Sequence, residues 1–137
     1  METKQRYTLD KSDRLKSKKS IEQLFKEGKS FSVFPFRVLY LEAPVSSLES
    51  EALRKNLQAA FSVSKKHFKK AVDRNRIKRL MREGWRLQKN DLAIGNKQTG
   101  KNLQVFLIYT GSELPEYDFV FEKISAVIKR LQKLSNE

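Results

Sequence analysis

The chain has 137 residues and a formal net charge of +13, from 29 Lys and Arg against 16 Asp and Glu. It contains no cysteine and no apolar run of about 18 residues, which excludes a disulfide framework, a cysteine-ligated zinc site and a membrane-spanning helix. The length predicts a single domain over residues 1–137, and nine Phe, four Tyr and one Trp supply material for its core. So large a positive charge indicates nucleic acid as the first partner to consider and an anionic membrane surface as the second.

The N-terminal part of the chain predicts an arm followed by a short helix. Residues 1–13 are polar and aperiodic, so we expect either an ordered approach to the first helix or a flexible basic arm. The lack of an apolar signal core predicts a cytoplasmic location. Within residues 14–30, apolar residues recur at i, i+3 and i+4 from Ile21, which is helical spacing. Gly28 follows the last periodic residue and is the expected end of this helix.

Residues 30–42 predict two strands separated by a bend. The segment is rich in β-branched and aromatic residues, and Pro35 lacks the amide hydrogen that a continuous strand would use. Because side chains alternate between the two faces of a strand, one face of the second strand carries Phe36, Val38 and Tyr40. The opposite face, with Arg37, Leu39 and Leu41, is also largely apolar, and helices on one side of a sheet would leave it unexplained.

The rest of the chain outside the basic region predicts two more strands and a C-terminal helix. Residues 43–56 are a connection with Pro and a Ser cluster, and residues 57–64 are a strand leading into the basic region. Residues 90–102 form a loop, and residues 103–110 are a continuous apolar run typical of a buried strand. Apolar residues at helical spacing over residues 117–134 predict a helix that covers one face of the sheet.

The stretch from Lys65 to Lys89 contains most of the positive charge. It has eleven Lys and Arg and two acids, Asp73 and Glu83, a net charge of +9. On a helical wheel its apolar half contains Ile77, Leu80, Met81, Gly84, Trp85 and Leu87. The other half contains Asn75, Arg76, Lys78, Arg79, Arg82, Arg86 and Lys89, and we expect no carboxylate among them. The pattern predicts one long helix that packs by its apolar half and presents its cationic half to a polyanion; Arg74 lies at the apolar margin.

Side-chain chemistry for catalysis is absent from the sequence. The one histidine, His67, lies among lysines, no metal-ligand spacing or Gly-rich phosphate loop is present, and we expect no metal or cofactor on the protein. The residues therefore favour a binding protein over an enzyme acting alone.

The apolar sheet face leaves two interpretations open. Phe36, Val38 and Tyr40, facing Ile21 and Phe25 of the first helix, either form a groove whose rings stack on unpaired bases or pack as ordinary core. The residues alone favour neither.

One segment, Ser62 to Glu83, resembles the signature of the bacterial ribonuclease P protein subunit. The hallmark of that family is an Arg-Asn-Arg core, here Arg74, Asn75 and Arg76, which continues into Lys78 and Arg79. A Ser-x-Ser-Lys-Lys run precedes it, and the order of helices and strands along residues 12–134 is also similar.

The resemblance implies an α+β fold, an α-β-β-β-α-β-α two-layer sandwich with a four-stranded sheet and a left-handed βαβ crossover. It also implies a function. Proteins of this family bind a catalytic RNA and the 5′ leader of precursor tRNA, and assist endonucleolytic removal of the leader. The holoenzyme is an endoribonuclease whose chemistry and magnesium belong to the RNA, and we expect one protein monomer per particle and no membrane.

Carried over by position, the resemblance assigns two sets of site residues. The expected contacts to the catalytic RNA are Lys65, Lys66, Lys69, Lys70, Arg74, Asn75, Arg76, Lys78, Arg79 and Arg82. The expected leader cleft is formed by Ile21, Phe25, Phe36, Val38 and Tyr40. The alternative is a non-catalytic ribosomal or other nucleic-acid-binding structural protein.

Overall fold

A computed structural model describes residue 15, residues 18–44 and 57–90, residue 92 and residues 101–135. The predicted arm and most of the two predicted loops lie outside these residues. The described elements follow in the order helix, three strands, helix, strand, helix, which confirms the predicted α-β-β-β-α-β-α arrangement. They are α1 (Lys18–Glu27), β1 (Lys29–Val33), β2 (Phe36–Pro44), β3 (Leu57–Val63), α2 (Ala71–Gln88), β4 (Lys101–Tyr109) and α3 (Tyr117–Ser135).

The four strands form one mixed sheet in the order β1-β2-β4-β3. The β1–β2 and β2–β4 pairs are antiparallel, whereas β3 and β4 are parallel neighbours. Parallel neighbours require a crossover connection, and α2 lies in that connection. Pro35 separates β1 from β2, as its missing amide hydrogen predicts, and its carbonyl accepts hydrogen bonds from the Thr110 amide (2.8 Å) and hydroxyl (2.9 Å). The left-handed sense of the crossover stays a prediction.

Helices α2 and α3 pack side by side on one face of the sheet and enclose the main core. Ile77, Met81 and Trp85 of α2 are at most 1% exposed. The helices approach closely at Gly84, where an added Cβ would lie 3.1 Å from Ile124 Cδ1. Near this contact the Gln88 side-chain amide donates a hydrogen bond to the Phe121 carbonyl at 3.0 Å. The apolar half of α2 is thus held against both the sheet and α3.

Helix α1 packs on the opposite face of the sheet and adds a partial third layer. Leu24 is fully buried and forms a smaller core with Leu15 and Leu39. The Leu15 amide donates to the Ala59 carbonyl of the edge strand β3 at 3.0 Å, so the chain leading into α1 is fixed at that edge. The helix ends at Glu27, and a Cβ on Gly28 would lie 2.3 Å from the Leu24 carbonyl oxygen, which explains why glycine suits the end.

Candidate RNA interface

The outward side of α2 is cationic and exposed. Asn75, Arg76, Arg79 and Arg82 are exposed and Lys78 is half-buried, whereas the residues between them pack inward. Over the part of the chain that the structure describes, neither an ion pair nor a hydrogen bond to a carboxylate involves Arg76, Arg79 or Arg82. The predicted division into an apolar and a cationic half is therefore confirmed for these residues. Lys89 departs from it, because it is 8% exposed.

The basic residues before the helix lie on a connection, which we call the basic loop (Ser64–Lys70). Helix α2 begins at Ala71, so the basic residues from Lys65 to Lys70 precede the helix. Four exposed lysines lie on this loop: Lys65, Lys66, Lys69 and Lys70. The loop is anchored by Phe68, which is 7% exposed and whose ring centroid lies 6.1 Å from that of Tyr109.

Arg74 has an internal role that the sequence pattern did not show. Its Nη1 donates hydrogen bonds to the backbone carbonyls of Phe68 and Lys69, each at 2.8 Å. The side chain is half-buried and turns back towards the basic loop, as its place at the apolar margin of the wheel allows. Arg74 is one of the ten residues predicted to contact RNA, and bonds to its own chain occupy part of its guanidinium.

The expectation that the cationic half of α2 lacks a carboxylate is wrong. Glu83 lies three residues before Arg86 on the helix surface, and the two side chains form an ion pair. The hydrogen bond from Arg86 lowers the pKa of the Glu83 carboxyl below its usual value. The pair reduces the positive charge at the C-terminal end of the cationic side.

The expectation that Phe36 and Val38 of the predicted leader cleft face α1 is wrong, because the structure buries both on the other face of the sheet. Val38 and Phe36 are 0% and 1% exposed and belong to the main core beneath α2 and α3, away from α1. Tyr40 is half-buried on that same face, packs on Phe31 and lines an open depression of about 390 Å³ beside Leu134. Of the two interpretations, groove or core packing, the structure therefore favours core packing for this face of β2.

The face of the sheet towards α1 presents a different set of residues, which we call the sheet groove: Phe25, Arg37, Ser62, Phe106 and Ile108. Arg37, Ile108 and Ser62 are register neighbours across β2, β4 and β3, and Arg37 is exposed while the other two are half-buried. Phe25 of α1 is 54% exposed and meets the half-buried Phe106 edge-on, with 5.2 Å between ring centroids. Ile21 is half-buried in the smaller core. Of the predicted cleft residues, Phe25 is thus the accessible ring on this face.

The sheet groove and the basic loop are neighbours. Ser62 ends the groove on β3, and the basic loop begins two residues later at Ser64, whose amide donates to the Tyr109 carbonyl at the end of β4 at 3.4 Å. The lysines of the basic loop therefore follow the end of the sheet groove directly along the chain. Within the described ranges we find no cluster of three metal-ligating side chains and no helix long and apolar enough to cross a membrane.

Comparison with known proteins assigns the family. The model of the family described as Ribonuclease P matches residues 9–132, nearly the whole chain. The chain belongs to the ribonuclease P protein family. It is 37% identical over 111 residues to the ribonuclease P protein component of Porphyromonas gingivalis, covering 81% of this chain and 77% of that protein. It is 31% identical over 132 residues to the component from Chlorobium phaeobacteroides, covering 91% of this chain and 88% of that one.

Solved structures of this family have the same fold. The ribonuclease P protein from Thermotoga maritima matches with a TM-score of 0.64 at 25% identity, covering 85% of this chain and 96% of that one. The Staphylococcus aureus protein matches with a TM-score of 0.65 at 21% identity, covering 88% of this chain and 96% of that one. The resemblance seen in the sequence is thereby confirmed for both family and fold.

The sequence did not identify Phe106 and Ile108 as residues of the sheet face towards α1. Both lie in the apolar run of β4. Val105 and Leu107 face the main core, whereas Phe106 and Ile108, at the alternate positions, face α1. A continuous apolar run gives no indication of which alternate set is covered by two helices and which by one. The register of the sheet identifies this face. Pairing β4 with β2 places Phe106 opposite Leu39, which belongs to the smaller core beneath α1.

The Glu83–Arg86 pair generates a prediction for RNA binding. Glu83→Gln should raise affinity for RNA by about two- to fivefold, the range expected of one exposed charge pair, because it removes a negative charge from the cationic side of α2. The dependence of affinity on salt should become steeper. The measurement is a binding titration at several potassium chloride concentrations.

The matched control is Glu122→Gln, which changes net charge equally at an exposed position on a different helix, α3. Equal effects of the two substitutions would mean that only total charge matters and that α2 has no special role.

Proposed function

We propose that this chain is the protein component of ribonuclease P and acts with a catalytic RNA to remove the 5′ leader of precursor tRNA. Membership of the family supports the assignment, and its relatives are named as ribonuclease P protein components. The observation that carries it to this chain is the juxtaposition of two surfaces. One is an exposed cationic helix side on which Arg76, Arg79 and Arg82 have no carboxylate partner among the described residues, and the other is a neighbouring groove with an accessible aromatic ring.

The cationic surface suits the phosphates of a folded RNA. From Arg76 to Arg82 the helix advances about 9 Å, so three guanidinium groups are spread along one side of a rigid rod. Each guanidinium offers a planar set of donors that matches phosphate oxygens, and the exposed Asn75 amide adds a neutral donor and acceptor. These residues and the basic loop are proposed to hold the catalytic RNA, with binding that weakens as salt rises.

The sheet groove suits a single strand. An unpaired base stacks on aromatic rings whatever its identity, and Phe25 together with Phe106 supplies two rings inclined at 62° to each other. Arg37 lies exposed on the same sheet face to contact the backbone of the strand. We place the 5′ leader of precursor tRNA here, in the cleft between α1 and the sheet that the family resemblance leads us to expect, with Phe106, Ile108 and Arg37 in place of Phe36, Val38 and Tyr40.

The chemistry is proposed to belong to the RNA and its magnesium. Among the described residues no cluster of three metal-ligating side chains is present, and the one histidine of the sequence, His67, is an exposed residue of the basic loop. The protein then contributes binding and orientation: it holds the leader beside the RNA that cuts it. One copy per particle in the cytoplasm is part of the proposal.

Reconstitution tests the proposed function. The purified protein and the catalytic RNA from the same genome are combined with precursor tRNA at a magnesium concentration at which the RNA alone cleaves poorly. We expect the protein to raise the rate of leader removal, and the protein without RNA to leave the substrate intact. An equal rate with and without the protein would rule out the proposed function.

Phe25 provides the test of the groove. Phe25→Ala should weaken binding of leader-bearing precursor tRNA to the holoenzyme by about 1–3 kcal/mol, the value of one base stacked on an aromatic ring. Binding of mature tRNA should stay unchanged. Both are measured as dissociation constants of the assembled holoenzyme.

Phe119→Ala is the matched control, since Phe119 is a 38% exposed phenylalanine on α3, which packs on the other face of the sheet. A loss of affinity shared equally by precursor and mature tRNA, or shared by the Phe119 variant, would show that no leader base stacks on Phe25.

A further inference from the structure

The contact between Arg74 and the basic loop has a geometry that a residue serving only as a phosphate ligand does not need. A guanidinium Nη carries two hydrogens, and Arg74 Nη1 directs them to two consecutive carbonyls, those of Phe68 and Lys69, at 2.8 Å each. Nε and Nη2 retain three N–H groups with no hydrogen-bond partner in the described part of the chain. One side chain therefore fastens the loop and still has donors to offer.

The basic loop needs such a fastening. Its four lysines repel one another, and like charges in one short segment favour conformations that spread them apart. The usual side-chain cap is also missing where the loop joins α2, because the N-cap residue Lys70 makes no side-chain hydrogen bond to the helix amides. The backbone bonds at the loop are long: the Phe68 amide donates to the Ser64 carbonyl at 3.3 Å, the Lys66 amide to the Ser64 hydroxyl at 3.3 Å, and the Arg74 amide to the Lys70 carbonyl at 3.2 Å. The buried Phe68 ring and the two shorter bonds from the Arg74 side chain fasten the middle of the loop to the rest of the protein.

We infer that Arg74 is a positioning residue that holds the lysines of the basic loop in line with the cationic side of α2. This inference rests on the proposed RNA-binding function and deepens it. A loop already held in the bound arrangement does not lose conformational entropy when RNA binds, so the contribution of each lysine to affinity depends on Arg74. The remaining donors of Arg74 can contact a phosphate without releasing the loop.

Non-additivity in RNA binding is the test. The dissociation constant of the catalytic RNA from the same genome is measured for the wild type, for Arg74→Ala, for the loop variant Lys66→Ala/Lys69→Ala, and for the combination. If Arg74 acts through the lysines, the combined loss should fall short of the product of the separate losses by about fivefold or more. Arg79→Ala is the matched control, because Arg79 is an exposed arginine of the same helix; its loss should multiply with that of the loop variant to within about twofold.

Hydrogen exchange of the RNA-free protein provides a second readout. Arg74→Ala should accelerate exchange at the Phe68 amide and in the rest of residues 64–70, while β4 and α3 keep wild-type protection and thereby show that the variant is folded. Arg74→Lys keeps the charge but not the planar pair of donors, so it should resemble the alanine variant in this exchange.

The outcomes separate the two proposals. A wild-type protein that does not bind the catalytic RNA would overturn the proposed function and the inference with it. If the wild type binds but the Arg74 and loop losses multiply as they do for Arg79, or if exchange in residues 64–70 is unchanged in Arg74→Ala, the positioning role is wrong and the proposed function stands.

Discussion

The packing of α2 against the sheet and α3 is the constraint on which the rest of the structure depends. Ile77, Met81 and Trp85 are fully or almost fully buried, and the close approach at Gly84 leaves the helix no freedom to rotate about its axis. Because the apolar side is fixed, the arginines on the other side must point to solvent. Their charge is tolerated because water screens it, and it becomes useful when a polyanion replaces the water.

The single helix on the other sheet face has the opposite consequence. One short helix cannot cover a face that two long helices cover on the other side, so α1 buries Leu24 and Leu39 but leaves Phe25, Phe106 and Ile108 partly accessible. The face that the folding of the protein leaves incomplete is thus the one that can accept a ligand. Its proximity to the basic loop joins an apolar surface for bases to a charged surface for phosphates, the combination that single-stranded RNA requires.

Sequence reasoning succeeded where one element determined the outcome. The helical period of α2 separated its arginines from its core residues, Pro35 marked the break between β1 and β2, and Gly28 marked the end of α1. It failed where the answer depended on how elements meet. Both faces of β2 and β4 are apolar, so their alternation does not say which face α1 covers, and Phe36 and Val38 were assigned to the wrong one. The bonds of Arg74 to Phe68 and Lys69 depend on the conformation of a loop, which the spacing of apolar residues in the sequence does not predict.

Lysine footprinting can show whether RNA binds the cationic side of α2 together with the basic loop. The protein is acetylated with and without the catalytic RNA, and each lysine is quantified by mass spectrometry. We expect strong protection of the exposed Lys65, Lys66, Lys69 and Lys70, while the exposed Lys129 and Lys133 of α3 remain reactive. Protection of the α3 lysines with the loop lysines left reactive, or equal protection of both sets, would contradict this expectation.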